Sequence, residues 1–143
     1  MPSTSSPRAV AETRPQIDAE MRARIADQLG ATFTGDIIGP DHASYGEARL
    51  VWNAMIDRHP GLILRCRCTG DVVAAVNVAR DNGLLPAVRG GGHNVAGKAM
   101  SDGGLTIDLG GMRKVAVDAE HHLVHVDGGC LLAMSTRPPR RTA

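Results

Sequence analysis

Apolar residues recur every fourth position at Ile17, Met21, Ile25 and Leu29. That spacing predicts a helix with one buried stripe. Asp18 and Glu20 at its start suit the positive end of the helix dipole, and Gly30 ends it. Phe33 to Ile38 reads as a short edge strand, and Gly39-Pro40-Asp41 turns the chain. Ser44 with Glu47 three residues on is a capping box. It predicts a second helix from Tyr45 to about Asp57, carrying Leu50, Trp52 and Met55. After the turn His59-Pro60-Gly61, Leu62 to Arg67 is a strand. Thr69 is the N-cap of a third helix that runs through Val72, Val73 and Val76 to Arg80, with Asp71 in its first turn. Asn82-Gly83 stops it, and Leu84 to Val88 is the next strand. This β–α–β unit calls for a parallel, right-handed crossover. Leu105 to Leu109 alternates between glycines, and Val115–Val117 and Leu123–Val126 pair across the turn Asp118–His122. The fold class expected is α+β, a small mixed sheet with flanking helices.

Composition narrows the picture. The chain has 143 residues, room for one small domain. It is 43% hydrophobic but only 2% aromatic, so Val, Leu, Ile and Ala must build the core. Trp52 is expected to pack there. A net charge of +1 with scattered arginines gives no electrostatic case for nucleic acid or an acidic membrane. No apolar run approaches the ~20 residues of a membrane helix. The N-terminus lacks the apolar core of a signal peptide. Three cysteines, Cys66, Cys68 and Cys130, are an odd number and no disulfide framework. Cys66 reads as buried packing and Cys130 as a small loop thiol. A soluble, cytoplasmic protein is expected.

The chemistry concentrates in Arg89-Gly90-Gly91-Gly92-His93-Asn94, followed by Val95-Ala96-Gly97-Lys98. Three glycines in a row weaken any helix or strand, by about 0.5–1 kcal/mol each relative to Ala. They suit positive φ or close approach of a ligand to the main chain. Successive free N–H groups make a concave anion site. A plain turn with a surface histidine is the other reading of the same spacing. Gly92 to Lys98 also fits the P-loop pattern G-x-x-x-x-G-K. Ala99 stands where Ser or Thr should hold Mg²⁺, and Ser101-Asp102-Gly103-Gly104 is turn chemistry where a helix should follow. His121, His122 and His125 form the other histidine cluster, but no further motif completes a metal set. They read as an exposed turn, and no metal is expected.

The glycine stretch and its flanks resemble the flavin-attachment loop of FAD-linked oxidases of the vanillyl-alcohol oxidase (PCMH-type) superfamily, in the berberine-bridge-enzyme-like branch. Asp36-Ile37-Ile38 and Asp41 to Asn53 are similar to that family's opening strand and helix. Leu62 to Cys66 with Thr69-Gly70-Asp71-Val72 resembles the strand and helix before the loop. Gly104 to Leu109, Met112, Val115 to Asp118 and Val126 to Cys130 resemble the strands after it. The likeness spans 36–132. Before it, the Ser-, Thr- and Pro-rich residues 1–16 read as a disordered tail and 17–35 as a helix and connector; the resemblance implies a partial FAD-binding domain (36–132), and a divergent Pro/Arg-rich tail (133–143) follows.

The resemblance also implies FAD as cofactor. The cofactor-binding residues would be Arg89, Gly90, Gly91, Gly92, His93, Asn94 and Gly97, with the pyrophosphate on the N–H groups of Gly90 to Asn94 and His93 the candidate for an 8α-histidyl link. A catalytic residue is not named. The family's isoalloxazine-facing strands, substrate domain and catalytic Tyr or Glu would lie beyond residue 132. The chain is therefore expected to be the FAD-binding portion of an FAD-dependent oxidoreductase, with O₂ as reoxidant, incomplete and inactive by itself. A small-molecule substrate would bind only to the full-length form. A non-catalytic flavin- or nucleotide-binding fragment and an unstable truncated product are the alternatives. An uncovered apolar sheet face, and hence marginal stability, is also expected.

Overall fold

The computed structural model describes residues 15–135. Most of the expected N-terminal tail and of the Pro/Arg-rich tail lies outside those residues. The first helix, α1 (Ala19–Leu29), forms as its stripe predicts. Asp18 is its N-cap and accepts from the Met21 main-chain N–H at 2.8 Å. Gly30 closes it at φ 53°, donating its N–H to Ala26. Ile25 and Leu29 are buried, each contributing about 1.5–3 kcal/mol by leaving water. A 3₁₀ turn, Gly30–Thr32, leads to β1 (Asp36–Ile38), shorter than the strand expected from Phe33.

The second helix is a correction. α2 covers only Tyr45–Ala48, and Ser44 makes no side-chain cap. Past Ala48 the chain leaves the helix because its backbone finds partners elsewhere. The Trp52 N–H donates to Gly92 O at 3.1 Å. Leu50, Trp52 and Met55 are exposed, Trp52 at 69%, so this indole is not core packing.

β2 (Leu62–Arg65), α3 (Thr69–Asp81), β3 (Ala87–Arg89) and β4 (Leu105–Asp108) follow. The N-cap of α3 is Cys68, one residue before the Thr69 expected. Val73 and Val76 face out, and α3 packs through Ala75, Val78 and Ala79. Gly83, at φ 64°, follows its C-cap. The sheet order is β1-β2-β4-β3. β1 is antiparallel to β2, while β2, β4 and β3 run parallel. The β2–α3–β3 crossover is thus parallel as expected, but β4 inserts between its two strands. Alternation divides the core into two layers. Leu62, Leu64, Leu105 and Ile107 pack with α1 and α3. Ile63 packs on the opposite face with Ile38, Ala48 and Met100.

β5 (Val115–Asp118) and β6 (Leu123–Val126) form a separate antiparallel hairpin, paired as expected, with Asp118 in the strand opposite Leu123 and not in the turn. Its tip places His122 at φ 55°. His121, His122 and His125 are all exposed, and His121 Nδ1 lies 2.9 Å from Asp118 Oδ2. Core side chains pack on both faces of β2 and β4, unlike the uncovered face expected, while Val88 on the edge strand β3 stays exposed. The hairpin exposes Val117, Leu123, Val124 and Val126, and further apolar side chains are exposed at Met55, Val95 and Leu132. A last short helix, α4, spans Leu132–Ser135.

Candidate cofactor-binding site

Parallel strands deliver their C-terminal ends to one edge, where open α/β sheets bind ligands. Arg65 ends β2, Arg89 ends β3 and Asp108 ends β4. The glycine loop leaves β3 at this edge. Gly92 and Gly97 take φ of 74° and 68°, so at least these two glycines are required by the backbone. Ile56 fills the space beside Gly97, where a Cβ would lie 2.6 Å from its Cγ2. The strap after α2 ties the loop down through Trp52 N–H to Gly92 O and Asn53 Nδ2 to Val95 O (3.0 Å). Asn94 Oδ1 accepts from Lys98 N at 2.9 Å, which closes the far side.

The main-chain N–H groups of Gly91, Gly92, His93 and Asn94 have no acceptor among the described residues. Successive free donors at a strand's C-terminal end are backbone of the kind that cradles anions, and of these four residues Gly91 lines the adjoining cleft. Opposite stands a second glycine turn. A Cβ on Gly90 would lie 2.7 Å from Gly128 O, so no side chain fits between the two turns. The cleft holds about 410 Å³, and its lining includes Arg65, Arg89, Gly90, Gly91, Asp108 and Gly129.

The charged floor escaped the sequence reading. Asp108 is 1% exposed and accepts from Arg65 Nε at 2.9 Å, Arg89 Nη1 at 3.3 Å and Gly110 N at 2.9 Å. Arg113, also at the rim, donates through Nε to Gly110 O at 2.7 Å. The only hint in the sequence was an acid closing an apolar strand just before two glycines.

His93 is exposed and does not line this cleft. It sits beside Gly91, with its ring 6.1 Å from Trp52 and tilted 39° to it. Arg89, Gly90 and Gly91 line the cleft, while Gly92, Asn94 and Gly97 do not. The residues suit an anionic dinucleotide. They supply free N–H groups, two facing glycine turns that leave the main chain accessible, and a buried Arg89 Nε with no partner among the described residues.

A family model described as FAD binding domain matches residues 60–134. The chain belongs to this FAD-binding domain family. It is 35% identical over 111 residues to (R)-6-hydroxynicotine oxidase of Paenarthrobacter nicotinovorans, covering 78% of this chain and 24% of the relative. The crystal structure of 6-hydroxy-D-nicotine oxidase from Arthrobacter nicotinovorans superposes with TM-score 0.69 at 35% identity, covering 72% of this chain and 23% of that one. Glucooligosaccharide oxidase from Acremonium strictum superposes with TM-score 0.70 at 27% identity, covering 78% and 23%. Its structure is described as carrying a 6-S-cysteinyl, 8α-N1-histidyl FAD. The chain thus spans about a quarter of these relatives. The α+β class, FAD as the family's cofactor, and the resemblance to PCMH-type oxidases including the berberine-bridge-enzyme-like branch are all borne out. Among the described residues no helix is long and apolar enough to cross a membrane.

Proposed function

We propose that residues 89–97 are the FAD-holding loop of an FAD-linked oxidoreductase, with His93 as the point of covalent attachment. The observation that carries this reading is the row of free N–H groups from Gly91 to Asn94 in a chain of this family. These donors hold a phosphate without needing side chains, and Arg89 and Arg65 offset its charge. Gly90 and Gly91 let the ligand touch the main chain. The strap through Trp52 and Asn53 keeps the loop in shape before the ligand arrives, which lowers the ordering cost of binding. His93 is exposed beside this loop, so its imidazole is accessible, as an attachment point requires. FAD, when bound, supplies a two-electron acceptor that the protein positions and tunes.

This reading assigns binding, not turnover, to these residues. Oxidation of a small-molecule substrate, with O₂ as reoxidant, belongs to a protein of the relatives' length. The direct test is to purify the chain, mix it with FAD, and record absorption in the flavin bands before and after acid precipitation. Colour that stays in the pellet, and that is lost on His93→Ala, supports attachment. A chain that takes up no FAD sinks the reading.

A further inference from the structure

We propose that Asp108 is a positioning residue of the cradle, holding Arg89, and with it the glycine loop, in the ligand-ready shape. The ligand half of this proposal rests on the FAD-binding reading; the geometric half does not.

Alternation along β4 turns Leu105 and Ile107 toward the helices and Thr106 and Asp108 to the opposite face. A carboxylate buried there is costly unless paired and hydrogen-bonded. Asp108 is held from three segments: Arg65 on β2, Arg89 on β3, and the Gly110 N–H just past its own strand. Arg89 is the last residue before the glycines. Its Nη1 is shared between Asp108 Oδ2 and Ala48 O, at 3.3 and 3.0 Å. Its carbonyl accepts from Leu109 N at 2.8 Å. Both its side chain and its backbone are therefore tied to the stretch around Asp108.

Two consequences follow for a ligand. Arg89 Nε is left buried with no partner among the described residues, beside Gly92, where a Cβ would lie 3.4 Å away. Arg65 spends its Nε on Asp108, and its terminal nitrogens have no acceptor among the described residues. With Arg113 and Glu47 also lining the cleft, three guanidiniums and two carboxylates leave one net positive charge there. Asp108 therefore aims the two arginines and suppresses their mutual repulsion without cancelling their pull on an anion. Without the carboxylate, Arg89 loses its anchor and the loop that starts one residue later loosens.

The test uses Asp108→Asn, which keeps the size and the acceptor for Gly110 but removes the charge. Asp71→Asn serves as a control, because it removes a buried carboxylate that does not line the cleft and bonds neither Arg65 nor Arg89. Backbone ¹⁵N order parameters of Gly90–Asn94 are measured without ligand, and FAD affinity by titration. Asp108→Asn is expected to drop the loop from about 0.85 to below about 0.6. It is expected to weaken FAD binding about tenfold through loss of the buried charge pair. Asp71→Asn should lower the melting temperature while moving neither readout. Loop order in Asp108→Asn equal to that of the unsubstituted chain, or reduced no more than in Asp71→Asn, overturns the proposal. If the unsubstituted chain takes up no FAD, the functional reading fails while the order parameters still decide this one. Should Asp108→Asn not fold, Asp108→Glu keeps the charge but shifts it by one methylene. It should also loosen the loop, and unchanged order in it overturns the proposal equally.

Discussion

Removing the Asp71 carboxylate should cost more than any surface substitution on this chain. Asp71 is fully buried at the start of α3. Its oxygens accept from Thr34 N at 2.8 Å, Thr34 Oγ1 at 3.0 and 3.2 Å, and Arg67 N at 2.8 Å. It therefore joins the connector before β1 to the turn between β2 and α3. In Asp71→Ala, three donors lose an ionised acceptor, at about 1–3 kcal/mol each, and water entering the gap recovers part of that. The net loss expected is about 3–5 kcal/mol, against a total stability on the order of 5–15 kcal/mol for a domain. Asp71→Asn keeps one acceptor oxygen and should lose about half as much. Burial alone would push the Asp71 carboxyl up, but the bonds from Arg67, Thr34 and Cys68 outweigh it and hold it below its ordinary value of 3.8. The folded value thus lies below the unfolded one. The stabilisation is complete above the unfolded value, about 3.9, and is lost as pH falls through the folded value. Urea unfolding followed by circular dichroism, at pH 7 and along a descending pH series, measures both effects. An Asp71→Ala midpoint corresponding to less than about 1 kcal/mol of change, or an Asp71→Asn acid limb as steep as the parent's, would refute the reasoning.

Other substitutions test other parts of the argument. Ile25→Ala, at a fully buried site of the α1 stripe, should cost about 2–5 kcal/mol in urea, whereas Val73→Ala on the exposed face of α3 should stay within about 0.5 kcal/mol. Gly92→Ala forces a side chain to φ 74° and should cost about 1–2 kcal/mol. FAD uptake should fall with it. His93→Ala, at an exposed position, should melt as the parent does while its flavin washes into the acid supernatant. Burial pushes the Cys66 thiol up to about 12, so at pH 8 a thiol reagent should label exposed Cys68 and leave Cys66 until urea is added. Rapid labelling of Cys66 in the native protein would mean that its layer of the core opens readily.

Periodic segments were readable because local pattern and tertiary demand agreed. The four-residue stripe of α1, the alternation of β4 and the paired runs of β5 and β6 each bury, or pair, what their spacing said they should. The region 45–57 shows where agreement ends. Its capping box and apolar residues describe a helix of three turns. A helix that long would satisfy its own main chain but would leave the glycine loop without its partners in this region. The glycine loop, about forty residues away in sequence, offers Gly92 O to the Trp52 N–H and Val95 O to the Asn53 side chain. Those bonds exist only once β3 is in place beside β4, so no local window could contain them. Propensity is worth tenths of a kcal/mol per residue, and such contacts override it.

The site divides along the same line. The donor row of residues 91–94 was legible because a triple glycine is itself a backbone statement. Its electrostatics were not. Asp108 in sequence is one acid after Leu105-Thr106-Ile107, and Arg65 is one of many scattered arginines. They meet because β4 inserts between β2 and β3, which brings together positions 19 and 43 residues apart. Charge on a strand end becomes interpretable only when the strand order is known, since that order decides which neighbour answers it. A glycine motif therefore marks where an anion can sit, while the sheet's topology decides which side chains give the seat its charge. That is why the least conspicuous acid in the region carries the loop's geometry in the proposal above.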